Sequence, residues 1–162
     1  MASRVDTVIG FDFGTVWTGV AIGLTLTAQA RPLKVIKSIN RKPDWQAIGS
    51  LLAEWQPQRL IVGLPTSMIH DHHPMTEKVQ KFCRQLEGRF NIPVELIDER
   101  LTTREAYVIA IENNRLKTKQ EIDSISAMLI AESWLRHYAA TTSQSIADPA
   151  ICPQQLPCAV TE

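Results

Sequence analysis

Three acidic positions in this chain stand where hydrophobic packing does not explain them: Asp12, Asp98-Glu99 and Asp123. Asp12 interrupts an apolar run with the pattern of a core strand, where an acid is costly unless it is paired or binds a metal. Asp98-Glu99 ends a later strand-like run, and ligand crevices form at such ends in open α/β sheets. Asp123 falls on the apolar stripe of the last helix-like segment.

Acids that converge from three separate elements repel one another unless cations lie between them. Oxygen ligands suit Mg²⁺ or Mn²⁺. Two such ions roughly 3.5–4 Å apart stabilise the attacking and leaving oxygens of a phosphodiester displacement. Spacing alone does not establish this convergence, and simpler interpretations remain: a turn at a strand end for Asp12, a solvated loop paired with Arg100 for Asp98-Glu99, and a helix-dipole interaction for Asp123.

The elements that must position these acids follow from the spacing of apolar residues. Strand-like runs cover about 8–13, 18–24, 33–39, 60–63 and 94–98, and helical stripes cover 45–55 and the segment from Pro74 onward. Capping-box patterns at Thr102–Glu105 and Thr118–Glu121 open two closing helices. The order βββαβαβαα predicts an α/β fold with a mixed five-stranded sheet and helices on both faces.

Composition excludes several classes of protein. The 17 Lys and Arg balance 17 Asp and Glu over 162 residues, so bulk positive charge cannot be the basis of nucleic-acid binding. No apolar run has the roughly 18 residues of a membrane span, and the N-terminus lacks the apolar core of a signal peptide. Three cysteines without a CxxC pair favour the cytoplasm. Residues 1–140 are expected to form one domain, and the proline-rich residues 141–162 a flexible tail.

Four blocks of this sequence together resemble the YqgF family of RuvC-like proteins, which have the RNase H fold. The blocks are Gly10-Phe11-Asp12-Phe13-Gly14-Thr15 with Gly19-Val20-Ala21, Val62-Gly63-Leu64-Pro65, Asp98-Glu99-Arg100-Leu101-Thr102-Thr103-Arg104-Glu105-Ala106, and Asp123-Ser124 with Ala127. Members of this family are described as Holliday-junction resolvases or as nucleases that process the 5′ end of pre-16S rRNA. The resemblance covers about residues 7–138.

The resemblance implies an RNase H-like (RuvC-like) fold and a nuclease that hydrolyses phosphodiester bonds with Mg²⁺ or Mn²⁺, with two ions expected. It also implies that Asp12, Glu99 and Asp123 are the catalytic, metal-binding carboxylates. The chain departs from the family in two places. Val16-Trp17 stand where a Lys or Arg usually follows the Thr, and the loop after Pro65 lacks the usual Asn, Met, Asp, Gly sequence.

Basic residues surround the second and third acids in the sequence: Arg100, Arg104, Lys117 and Lys119. We expect them to contact the phosphates of a nucleic acid, either structured RNA or branched DNA. Solvated helix faces are the alternative explanation for these charges. The run His70–His73 is interpreted as a solvated loop, because adjacent histidines cannot all reach one ion. Trp17 is a candidate for base stacking, whereas Trp134 and Cys83 are expected in the core.

Two other functional classes remain open on the sequence alone. A non-catalytic RNA- or DNA-binding module acting in ribosome assembly fits the missing basic residue after Thr15. An actin- or Hsp70-type ATPase fits Asp12-Phe13-Gly14-Thr15, which resembles a phosphate loop, but such enzymes need two lobes and this chain has room for one. Junction cleavage requires two sites and a homodimer, whereas trimming of an RNA end requires only a monomer.

Overall fold

The structure, a computed structural model, describes residues 6–64, 74–98 and 118–146. The strands are β1 Thr7–Asp12, β2 Trp17–Leu24, β3 Gln29–Lys37, β4 Arg59–Leu64 and β5 Val94–Asp98; the helices are α1 Trp45–Trp55, α2 Pro74–Phe90 and α3 Lys119–Ile146. The five predicted strands and the helices predicted at 45–55, from Pro74 and from Thr118 are therefore confirmed, except that β3 begins four residues before the predicted run 33–39 and ends at Lys37. The helix predicted from Thr102 lies outside the described residues.

The strands form one mixed sheet in the order β3-β2-β1-β4-β5. The hairpins β1–β2 and β2–β3 are antiparallel, whereas β4 is parallel to both β1 and β5. Parallel neighbours need crossover connections, and a right-handed crossover lays its helix against the sheet. The predicted combination of hairpins and helical crossovers is thus confirmed.

Apolar side chains of β1 alternate between two hydrophobic cores. Ile9 and Phe11 belong to the core that α1 and α2 cover, whereas Val8 belongs to the core beneath α3. Because successive strand residues point to opposite faces, β1 has helices packed against both of its faces. The predicted placement of helices on both faces of the sheet is confirmed.

Helix α3 begins at the predicted capping box. The Thr118 amide donates to Glu121 Oε2 over 2.8 Å, and the Glu121 amide donates to Thr118 Oγ1 over 3.4 Å. These bonds satisfy two amides at the helix start that have no partner within the helix. Asp123 therefore lies inside the helix, as the sequence indicated.

The end of α3 differs from the prediction of a tail beginning at residue 141. The helix continues to Ile146, so the predicted boundary at residue 140 falls inside it. The hydroxyls of Thr141 and Thr142 donate to the carbonyls of His137 and Tyr138, each over 2.9 Å. Both hydroxyls thus bond within the helix, which continues through these threonines despite their low helix propensity. Within the described residues, no helix combines the length and apolarity needed to cross a membrane.

Candidate active site

The carboxyl ends of the three parallel strands meet at one edge of the sheet. Asp12 ends β1, Leu64 ends β4 and Asp98 ends β5. Leu64 and Asp98 are register partners, and Phe11 of β1 pairs with Val62 of β4. This is the edge where open α/β sheets form ligand crevices.

Asp12 belongs to the side of β1 that α3 covers. It shares its strand parity with Val8, in the α3 core, and with Gly10. A Cβ at Gly10 would lie 2.7 Å from the carbonyl oxygen of Ala127 in α3. Glycine at this position therefore permits close contact between the strand and the helix.

A second glycine permits the same close contact between strand and helix at a position nearer to the cleft. Gly19 of β2 is the register partner of Asp12. A Cβ at Gly19 would overlap the carbonyl group of Asp123 and lie 2.9 Å from the Ser124 nitrogen. The backbone of α3 at Asp123 thus rests directly on the strand position paired with Asp12. The sequence contained this glycine in a recognised block, but its contact with α3 depends on the tertiary fold.

Asp12 and Asp123 line one cleft of about 290 Å³. Its remaining described wall is the β1–β2 loop, residues 13–16, with Trp17 at the start of β2 and Met75 at the start of α2. Both carboxylate residues are partly exposed, so a ligand in the cleft can reach them. The structure thus brings together two of the three acids that the sequence singled out, from positions more than a hundred residues apart.

The donor set of this cleft fits a hard divalent cation. Two carboxylates supply only oxygen ligands, which Mg²⁺ and Mn²⁺ prefer over softer metals. The third predicted ligand, Glu99, lies outside the described residues. Among residues 6–64, 74–98 and 118–146, no three His, Cys, Asp or Glu side chains group as a metal site.

The predicted nucleic-acid contacts fall mostly outside the described part of the chain. Arg100, Arg104 and Lys117 all lie there, and so does the run His70–His73. Lys119 is the first residue of α3, but its side chain is not described. These residues remain predictions.

Lys37 is a candidate site residue that the sequence reasoning missed. It is the register partner of Trp17 across the β2–β3 hairpin, and its ammonium lies 5.4 Å from the Trp17 ring centroid. Trp17 lines the cleft, so Lys37 brings a cation close to the place where Val16-Trp17 replace the basic residue usual in the family. The hairpin register was the only signal that could have indicated it.

Two residues expected in the core are confirmed there. Trp134 is buried beneath the sheet, and its indole nitrogen donates to Glu95 Oε2 over 2.7 Å. Cys83 is buried in the opposite core, and this burial raises the pKa of its thiol from 9.0 to about 11 because it disfavours the charged thiolate. Neither residue lines the cleft.

Comparison with known proteins places this chain in a family. A model of the family "RuvX: Holliday junction resolvase" matches residues 6–137. A protein of Actinobacillus pleuropneumoniae serotype 5b is 46% identical over 130 residues, covering 79% of this chain and 95% of that protein. A Salmonella enteritidis PT4 protein is 47% identical over 131 residues, covering 80% and 95%. Both are named "Putative pre-16S rRNA nuclease".

Two solved structures that superpose on this chain are Holliday junction resolvases. A Thermus thermophilus RuvC in complex with a Holliday junction substrate superposes with a TM-score of 0.56 at 16% identity, covering 86% of this chain and 98% of that one. A fowlpox virus resolvase in complex with Holliday junction DNA gives 0.51 at 14% identity, covering 82% and 98%. At these identities the likeness confirms the RuvC-like, RNase H-type fold. The relatives and the family model together confirm that this chain belongs to the RuvX family of nucleases, whose reaction is hydrolysis of phosphodiester bonds.

Proposed function

We propose that this protein is a divalent-metal-dependent nuclease that processes the 5′ end of pre-16S rRNA. The observation that carries the proposal is the meeting of Asp12 and Asp123 in one cleft at the carboxyl edge of β1, β4 and β5. The choice of RNA follows the names of relatives that share 46–47% of their residues with this chain. The bacterial relatives and a cysteine spacing without a CxxC pair favour the cytoplasm as the place of action.

Asp12, Asp123 and Glu99 would hold the metal. Glu99 is included because it directly follows Asp98, which ends β5 at the edge where the other two acids lie. Two Mg²⁺ or Mn²⁺ ions would supply charge stabilisation for the attacking and leaving oxygens of the phosphodiester. The protein's own part is to fix the carboxylates before substrate arrives. Asp12 is held by a paired strand, and Asp123 by a helix resting on Gly19.

The cleft also orients the substrate. The β1–β2 loop forms one wall, so a phosphodiester bound at the acids would lie close to Thr15 and Val16. Lys37 lies beyond Trp17 and adds positive charge at this wall. Positive charge near a divalent-metal site attracts the phosphate backbone without reading base sequence.

The test is a cleavage assay with Asp12→Asn, which removes one negative charge and keeps the side-chain shape. The purified protein is incubated with a pre-16S rRNA 5′ leader and with a four-way DNA junction, each with Mn²⁺, with Mg²⁺ or with EDTA. We expect cleavage of the RNA with either metal, none with EDTA, and abolition of cleavage by Asp12→Asn. The expected loss is at least about a hundredfold, since removal of one group that stabilises transition-state charge costs about 10²–10³ in kcat.

Asp6→Asn is the matched control. Asp6 precedes β1, and six residues of strand place it about 20 Å from Asp12. The same chemical change at Asp6 is expected to leave the cleavage rate unchanged. Undiminished cleavage by a folded Asp12→Asn protein would overturn the assignment. Binding of RNA without a divalent ion and without cleavage would instead identify a non-catalytic module.

A junction resolvase is the second candidate, because the matching family model carries that description. Paired, symmetric nicks in the four-way junction, with intact leader RNA, would favour it. Such cleavage requires two active sites and hence a dimer. Sedimentation of the protein alone and with the junction checks this requirement.

A further inference from the structure

A large groove lies on the α1–α2 side of the sheet and opens next to the cleft. Its volume is about 950 Å³, more than three times that of the cleft. Phe13, Thr15 and Val16 line both spaces. The β1–β2 loop is therefore a shared wall, and a chain lying in the groove can continue over this loop to the acids.

The described lining of the groove carries five cations and no carboxylate: Arg41, Lys42, Lys78, Lys81 and Arg89. The whole chain has equal numbers of acidic and basic side chains, so this local excess is not a consequence of composition. Asp44 lies close in sequence, but its carboxylate caps α1 by accepting from the Ala47 amide over 3.1 Å. The groove is thus a surface for an anion with several charges.

One wall of the groove is a single stripe of α2. Lys78, Lys81, Gln85 and Arg89 follow one another at spacings of three or four residues, which places them on one helical face. Glu87 falls on the opposite face. Lys78 and Arg89 are separated by about 16 Å along the helix axis, from a rise of about 1.5 Å per residue. At about 3.4 Å per nucleotide in a stacked strand, this stripe spans about five nucleotides.

The opposite wall is a tight turn with a fixed backbone. Ile39 and Lys42 exchange two backbone hydrogen bonds of 2.9 Å, and between them Asn40 and Arg41 have φ of 52° and 60°. Two consecutive left-handed residues define a type I′ turn, in which asparagine is common and arginine is unfavourable. A residue other than glycine held in this region carries strain of order 1 kcal/mol, and the two hydrogen bonds of the turn keep it there. The turn presents Arg41 and Lys42 from a backbone that does not need to be ordered on binding.

The aromatic residues of the groove are already engaged with protein groups. The Arg89 guanidinium carbon lies 4.6 Å from the Trp45 ring centroid, and Trp45 also stacks on Phe82 with centroids 5.8 Å apart. Phe82 in turn stacks on Phe13 at 4.6 Å. These contacts hold Trp45 in a stack that positions Arg89. With five cations in its described lining, the groove is suited to the repeating charge of a phosphate backbone.

We propose that this cationic groove, defined by Arg41, Lys42, Lys78, Lys81 and Arg89, binds the phosphate backbone of the RNA strand that flanks the scissile bond. The inference rests on the proposed function for its choice of RNA. Continuity with the cleft favours the substrate strand as the occupant, and the length of the α2 stripe sets a footprint of about five nucleotides. None of these five residues belongs to the basic set that the sequence indicated.

The test measures RNA binding without cleavage. Each variant is made in the Asp12→Asn background, and affinity for a fluorescein-labelled single-stranded RNA of twelve nucleotides is followed by anisotropy between 50 and 300 mM KCl. We expect Lys78→Ala with Lys81→Ala to weaken binding about 10- to 25-fold at 0.1 M salt. The slope of log affinity against log salt should become less steep by about 1.4, because each phosphate contact contributes about 0.7.

Arg84→Ala with Arg136→Ala is the matched control. Both arginines are exposed and equally charged, but neither lines the groove. We expect this variant to keep the affinity and salt slope of its parent. Thermal melting of both double variants checks that each is folded.

A kinetic measurement separates the groove from the chemistry. In the active background, loss of Lys78 and Lys81 should raise KM for the leader RNA by a similar factor while kcat stays unchanged, since the groove contacts ground state and transition state alike. Unchanged RNA affinity in the groove variant would overturn the inference, even if Asp12→Asn abolishes cleavage. Polyglutamate, a mimic of an acidic protein, is tested for binding in the same variants. If the groove variant loses polyglutamate binding but keeps its RNA affinity, the inference is also overturned, in favour of an acidic protein partner. If the groove variant binds RNA more weakly but the wild-type protein cleaves neither substrate, the groove is supported as an RNA-binding site and the proposed nuclease activity is rejected.

Discussion

Gly19→Ala tests whether close contact between β2 and α3 is what holds Asp123 beside Asp12. The added methyl would overlap the Asp123 carbonyl group and lie 2.9 Å from the Ser124 nitrogen, whereas ordinary contacts of this kind begin at 3.4 Å. These are backbone atoms of a helix, so they cannot rotate away. The start of α3 must therefore move by more than about half an ångström, and Asp123 must move with it.

The expected effect is on both stability and activity. Overpacking of this kind costs about 1–3 kcal/mol, which in a domain of this size lowers Tm by about 3–10 °C. Displacement of a reacting group by about 1 Å can cost about a hundredfold in rate. We therefore expect Gly19→Ala to remain folded at 20 °C, yet to cleave leader RNA at least about tenfold more slowly than the wild type.

Alanine substitutions at two other glycines serve as comparisons for the effect of Gly19→Ala. A Cβ at Gly10 would lie 2.7 Å from the Ala127 carbonyl oxygen, also in α3 but one turn farther from the cleft. A Cβ at Gly88 would meet nothing within 4 Å, so Gly88→Ala should stabilise α2 by up to about 1 kcal/mol through helix propensity. The assays are urea unfolding and single-turnover cleavage. Wild-type stability and cleavage in Gly19→Ala would refute the reasoning, as would an equal loss in Gly88→Ala.

Two further predictions concern the cores on the two sides of the sheet. The raised pKa of Cys83 means that the unfolded thiol loses its proton first, so stability should fall by about 2 kcal/mol as pH rises from about 9 to about 11. Urea midpoints against pH should show this fall in the wild type and not in Cys83→Ala; parallel curves would contradict it. Trp134→Phe should cost about 1 kcal/mol by removing the donor to Glu95 Oε2, and a double-mutant cycle with Glu95→Ala should show that the two effects are not additive. Simple additivity would mean that this hydrogen bond contributes no stability.

The sequence predicted those parts of the fold that depend on local order. The stripes of α1 and α2 were visible because buried residues such as Ile48 and Leu86 recur at helical spacing. The start of α3 was visible because its capping box is a contact between Thr118 and Glu121, three residues apart. The end of α3 was not visible, because the residues after 140 include threonines and serines of low helix propensity, yet the helix continues through them to Ile146.

The candidate site was predicted only in part because its geometry is tertiary. Asp12 and Asp123 could be named from their unusual positions, but their meeting depends on Gly10 and Gly19, whose role is to lack a side chain. Lys37 reaches the cleft wall through strand register, which a single strand does not reveal. The groove joins Arg41 with Lys78, and no local pattern connects residues that far apart.

The central place of β1 in the sheet affects how readily its backbone amides become exposed to solvent. Strands lie on both sides of β1 and helices cover both its faces, so its amides should be among the last to exchange with solvent. β3 is at the sheet edge, and the turn that carries Arg41 follows it. Asp12 is thus anchored in the strand whose amides should exchange last, whereas the hydrogen-bonded turn that carries Arg41 and Lys42 follows an edge strand. In the proposed nuclease, the reacting phosphate would therefore meet the most rigid strand of the sheet.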